Sequence, residues 1–143
     1  MHLSLQTDFA LRILMALAAT ERQMSVDEIA TSYGISPNHL SKVAQRLQAH
    51  GYVKAQRGRG GGLNLVRQPT DINVGTVVRE FENLGGLIEC MDPETSTCPV
   101  VGGCGLKGAL GGALAAFVAH LDGYTLADML PQKQRFRTLL GVE

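Results

Sequence analysis

The chain has few of the features that would send it out of the cell or into a membrane. No cleavage-site pattern follows its first residues, MHLSLQTDFALRIL, which carry Asp8 and Arg12 early, so no signal peptide is expected. Its longest uncharged apolar run, Gly108 to Ala119, is too short and too glycine-rich to span a bilayer. Cysteine is scarce and odd in number, which argues against a framework of paired disulfides. No Ser/His/Asp set or pair of acids stands out. His2, His39, His50 and His120 are scattered and read as surface or packing residues. The glycine-rich stretch 58–62 is followed by no Gly-Lys-Ser/Thr, and Leu63 stands where a dinucleotide fingerprint needs its last glycine. An enzyme is therefore disfavoured, and a cytoplasmic protein with reduced thiols is expected.

What is present begins with one short stretch. Cys90, Cys98 and Cys104 are all the cysteines of the protein and fall within fifteen residues. Pro93, Pro99, Gly102 and Gly103 lie among them, so a loop is expected there. Clustered reduced thiols are more often metal ligands or redox groups than disulfides. The 143 residues, 45% hydrophobic and 18% charged, suffice for one ordinary globular module. The net charge of zero hides an asymmetry. Residues 1–67 hold eight Lys/Arg against four Asp/Glu, and the remainder holds five against nine. A polyanion partner is expected for the first part only.

Periodicity supplies the fold. Phe9, Ile13 and Leu17 recur at helical spacing over residues 3–19, with Asp8 as a first-turn carboxylate in reach of Arg12. Ser25 to Glu28 forms a capping box opening a short helix to Tyr33, and Gly34 ends it. Ser36 and Pro37 open the next helix. Two short helices joined by a tight turn make a helix-turn-helix. The second helix turns Leu40, Val43, Ala44 and Leu47 inward. Its other side carries Asn38, His39, Lys42, Gln45 and Arg46 and no acid, which favours base and phosphate reading over an idle solvated face. Residues 52–57 and 63–66 alternate around the glycine tip as a hairpin wing, with Arg57 and Arg59 suited to a narrow minor groove. Asn73 caps a helix with Val74, Val77, Val78 and Phe81 inside. A long helix after Cys104 carries the apolar seam Leu106, Leu110, Ala113, Leu114, Phe117 and Leu121, with Gly108 and Gly112 four apart, and reads as a dimer helix. The last dozen residues suggest no element. The expected fold is mainly α with a small β-hairpin wing, a winged helix-turn-helix plus a long dimerisation helix. Its parts are 1–67 for DNA binding, 68–104 for the connecting helix and cysteine loop, and 105–143 for dimerisation and the C-terminal segment.

These segments together resemble the bacterial iron–sulfur winged-helix repressors of the IscR/NsrR family. The start LSLQTDFALRIL, the region ISPNHLSKVAQRLQAHGYV, the wing RGRGGGLNL, INVGTVVREFE, the three cysteines and DGYTLADML carry the resemblance in order and spacing. The resemblance implies a transcriptional repressor, a homodimer, and a cluster held by Cys90, Cys98 and Cys104. IscR-type members complete the set with a His three residues after the last Cys, where this chain has Lys107. The NsrR type uses an N-terminal carboxylate of the other subunit, which matches Asp8. The resemblance therefore implies Asp8 from the partner as fourth ligand, nitric oxide as effector, and a [4Fe–4S] cluster, with [2Fe–2S] as the alternative. The DNA-reading set is Ser36 on phosphate, Asn38, His39, Lys42, Gln45 and Arg46 in the major groove, and Arg57 and Arg59 in the minor groove. The competing reading is a winged-helix regulator of iron–sulfur or redox homeostasis, with a [2Fe–2S] cluster or a cluster-free thiol switch.

Overall fold

Helix α1, Leu5–Thr20, is the element the others pack around. The structure, a computed structural model, describes residues 2–142. Ser4, not Leu3, marks the helix start: its Oγ accepts from the Thr7 amide at 3.3 Å. Ala10, Ile13, Leu14, Ala16, Leu17, Ala18 and Ala19 are all buried, so the second half of α1 is covered on nearly every side. Small alanines allow that, because neighbouring helices can approach closely. A helix apolar all round is a core helix, not an amphipathic surface one.

Helix α2, Val26–Tyr33, and helix α3, Pro37–Ala49, form the helix-turn-helix. Ser25 caps α2 by accepting from the Glu28 amide at 3.0 Å. The reciprocal half of the expected box is weak: the Glu28 carboxylate is drawn to Arg22, 2.6 Å away. Gly34 takes the left-handed conformation between the helices, with φ of 66°. The inward residues of α3, Leu40, Val43, Ala44 and Leu47, are buried as the spacing predicts.

Strands β1, Val53–Gln56, and β2, Gly62–Leu65, pair antiparallel, with Val53 opposite Leu65 and Gln56 opposite Gly62. An isolated bridge, which no local pattern in the sequence marks, extends the hairpin on the other edge of β2. Met24, in the connection before α2, pairs with Leu63 through hydrogen bonds of 2.7 and 3.2 Å. Gly62 is required by this approach: a Cβ there would lie 2.6 Å from the Met24 carbonyl oxygen.

A 3-10 turn, Pro69–Asp71, leads to α4, Val74–Phe81, capped by Asn73, whose Oδ1 accepts from the Thr76 amide at 2.9 Å. Helix α5, Gly105–Asp122, packs on α4, and Arg79 of α4 pairs with Asp122 at its end. Helix α6, Lys133–Leu140, closes on α1, with Lys133 Nζ 2.6 Å from the Glu21 carboxylate. No element was expected there. One hydrophobic core runs from Ala10 through Phe81 to Leu126, Leu130 and Val142. The first helix is thus held by residues from the far end of the chain.

Candidate functional site

Two groups of side chains are the candidates for function: the outer surface of α3 with the wing, and the cysteine segment with the start of α1. On α3, Asn38, His39, Lys42 and Gln45 are exposed. Ser36 is exposed at the N-cap position, and its side chain makes no cap hydrogen bond, which leaves the hydroxyl beside the amide end of the helix. Arg57 and Arg59 are exposed at the wing tip. That tip is tied down by Gln23, which no local pattern in the sequence relates to the wing. Gln23 Nε2 donates to the Gly60 carbonyl, and Asn64 Nδ2 donates to Gln23 Oε1 at 2.9 Å. Arg46 alone among the expected readers is turned inward, towards α1 and α4.

The cysteine segment is more structured than the expected loop. A 3-10 turn, Glu89–Met91, contains Cys90, and Cys104 is the N-cap residue of α5. Cys90, Cys98 and Cys104 are free thiols, each half-buried. Glu89 ties the first two together: its Oε1 accepts from both the amide and the hydroxyl of Thr97 at 2.8 Å. The bonds from the Thr97 amide and hydroxyl hold the Glu89 carboxyl below its ordinary range. The residues preceding Cys90 and Cys98 are therefore bridged. Among the described residues, no three His, Cys, Asp or Glu side chains converge as one metal ion requires.

Asp8 lies in the first turn of α1, half-buried, and Arg12 grips it at 3.0 and 2.9 Å. Within one chain this is the first-turn pair that the residues alone suggest. Ahead of it, Glu82 pins the start of the helix. One carboxylate oxygen accepts from the Ser4 amide at 2.8 Å and from the Thr7 hydroxyl at 2.7 Å. Burial works against the charge of Glu82, but the bonds from Thr7 and Ser4 lower its pKa on balance. Glu82 closes α4 and sits eight positions before Cys90, so it joins the route into the cysteine segment to the turn that carries Asp8.

The comparisons with known proteins agree with this architecture. The Rrf2 family, described as iron-dependent transcriptional regulators, matches residues 3–132. The chain belongs to the Rrf2 family. The HTH-type transcriptional regulator NsrR of Bacillus subtilis (strain 168) is 44% identical over 145 residues, covering 100% of this chain and 99% of that protein. The solved structure of T. potens IscR is similar with a TM-score of 0.69 and 30% identity, covering 91% of this chain and 86% of that one. CymR, the global cysteine regulator of B. subtilis, is similar with a TM-score of 0.70 and 26% identity, covering 90% and 95%.

This Rrf2 chain is thus a DNA-binding transcriptional regulator and not an enzyme, with a winged-helix fold. No helix among the described residues is long and apolar enough to cross a membrane. The donors present fit an iron–sulfur centre chemically: three free thiols are the soft ligands such clusters take. Cys104 sits at the amide end of an eighteen-residue helix, which favours an anionic centre.

Proposed function

We propose that this protein is a homodimeric repressor whose hold on its operator depends on an iron–sulfur cluster and is released by nitric oxide. Cys90, Cys98 and Cys104 of one subunit and the partner subunit's Asp8 would hold the cluster, [4Fe–4S] with [2Fe–2S] as the alternative. The observation that carries this reading is the segment of three free, half-buried thiols, bridged from Glu89 to Thr97 and ending at the N-cap of α5. When bound, the cluster supplies an iron whose carboxylate ligand nitric oxide can displace.

Asp8 is free to serve because its present hold is weak. The Arg12 pair is exposed by 37% and 38%, and such i,i+4 pairs are worth about 0.5 kcal/mol. Two subunits are supported by α5. Only Val118 of that helix is buried, Leu106 is 61% exposed, and nothing lies within 4 Å of a Cβ built at Gly108 or Gly112. An open groove of about 600 Å³, lined by Leu3, Glu82, Leu84, Leu114 and Phe117 among others, continues this apolar face. In the proposed dimer a second copy lies on this face and brings its own Asp8 to the cysteines. Loss of the Asp8 link would free the turn pinned by Glu82 and shift the spacing of the two recognition helices, on which operator affinity depends. Ser36, Asn38, His39, Lys42 and Gln45, with Arg57 and Arg59, make the DNA contacts in this reading.

The test is iron and sulfide per chain in anaerobically purified protein, with the absorption spectrum. Stoichiometric iron and sulfide, lost in a Cys98→Ala variant, are expected. Colourless protein containing zinc, or iron-free protein whose DNA binding changes on thiol oxidation, would overturn the reading.

A further inference from the structure

Arg46 stands on α3 one position after Gln45, beside the surface that faces DNA. Among the described residues, Lys42 and Gln45 are exposed and make no side-chain hydrogen bond or ion pair. Arg46 is different on every count. Its Nη1 donates to Gln6 Oε1 at 2.7 Å, in the first turn of α1. Its Nη2 donates to the carbonyl oxygen of Glu80, in the last turn of α4. The guanidinium carbon lies 4.6 Å from the centre of the Phe81 ring. The last carbonyls of a helix have no partner within it, and a cation there meets the negative end of the dipole. Arg46 thus caps α4 from outside while stacked on its last aromatic residue.

The surroundings reinforce the contact. The His50 ring tilts against Phe81 with centroids 5.5 Å apart. Tyr52, buried at the start of the wing, donates its hydroxyl to Glu80 Oε2 at 2.5 Å. The last turn of α4 is therefore held from the recognition-helix side by Arg46, His50 and Tyr52. The next residue, Glu82, holds α1. For Arg46 to reach DNA, it would have to break both hydrogen bonds and leave the Phe81 ring.

We infer that Arg46 is a positioning residue that does not touch DNA but sets the angle of the recognition helix against α1 and α4. It is the contact through which a movement at the end of α4 reaches α3. A planar fork is needed for this, because one side chain must serve two acceptors on different helices and stack at once; lysine cannot do so. The inference rests on the DNA binding of the family and stands whether or not a cluster is bound.

The test uses the full chain and a duplex selected by the wild-type protein from a random pool. Arg46→Ala, Arg46→Lys, Gln6→Ala and the Arg46→Ala/Gln6→Ala pair are compared from 50 to 200 mM salt. Arg46→Ala should weaken binding roughly tenfold, evenly across the site, with the salt slope unchanged. Arg46→Lys should behave like Arg46→Ala. Gln6→Ala should weaken binding by itself and add nothing to Arg46→Ala, since the two act as one contact. A slope reduced by about 0.9 per lost phosphate contact, a preference lost at one base pair, full recovery by lysine, or additive losses would overturn the inference. Should Arg46→Ala fail to fold, Gln6→Ala at its exposed position decides: unchanged binding by that variant overturns the inference.

Discussion

Replacing Glu82 with alanine should loosen the start of α1, and the size of the effect can be worked from its contacts. Two hydrogen bonds to a carboxylate are lost, from the Ser4 amide and the Thr7 hydroxyl. Thr7 is 0% exposed, so no water replaces that bond. Ser4 Oγ, 3.0 Å from Thr7 Oγ1, offers a partial substitute. Bonds to charged groups are each worth about 1.5–3 kcal/mol; with one partly replaced and Glu82 only half-buried, we expect about 2 kcal/mol in all. For a chain of this length that is roughly 6–8 °C in melting temperature. Glu82→Gln keeps one acceptor oxygen but no charge and should lose about half as much. The effect has a pH signature. The folded pKa of Glu82 lies below its ordinary 4.5, so its contribution is present above that value and fades as pH falls through the folded pKa. Denaturant unfolding at fixed protein concentration, at pH 7 and near pH 3.5, measures this. A loss under about 0.5 kcal/mol at pH 7, or the same loss at both pH values, would refute the capping role.

Other outcomes follow from the same geometry. Gly62→Ala forces a Cβ to 2.6 Å from the Met24 carbonyl, so the Met24–Leu63 rung must open; about 2 kcal/mol lower stability and weaker operator binding are expected, by thermal melting and gel shift. Arg59→Ala should weaken binding mainly where A·T-rich flanks narrow the minor groove; equal weakening on all sequences would mean a phosphate contact instead. Gly112→Leu adds bulk where α5 is bare and should convert a dimer to monomers in sedimentation without lowering monomer stability; an unchanged dimer would place the subunit contact elsewhere.

Much of this architecture is legible in the residues, for physical reasons. Ser36-Pro37, Gly34 and the stripe Leu40, Val43, Ala44 and Leu47 each speak to local conformation, so the helix-turn-helix needs no tertiary information. Glycines between alternating segments mark the wing in the same way. What escapes the sequence is contact across distance. The Met24 rung joins residues 39 positions apart, and nothing around Met24 looks like a strand. Arg46 is chemically an ideal DNA reader; only the fold shows it turned to Gln6 and Phe81. The Glu89–Thr97 and Glu82–Thr7 bonds join side chains that no periodicity relates. Helix α6 carries weaker local signals: Phe136 and Leu140 stand four apart, and Gly141 follows with φ of 71°. Its polar face and short length hid them. The three thiols were legible as a unit because their message is compositional. The ligand set we propose is not, because its fourth donor, the partner subunit's Asp8, belongs to no neighbouring stretch of the chain.

The most direct measurement of the central claim is operator affinity before and after nitric oxide. Cluster-loaded protein, handled without oxygen, is titrated onto its operator in a gel shift, then treated with stoichiometric nitric oxide and titrated again. The account predicts tight binding by the loaded form, release on treatment, and the same weak binding by a Cys98→Ala variant throughout. Equal affinity in the loaded, treated and cluster-free forms would contradict it.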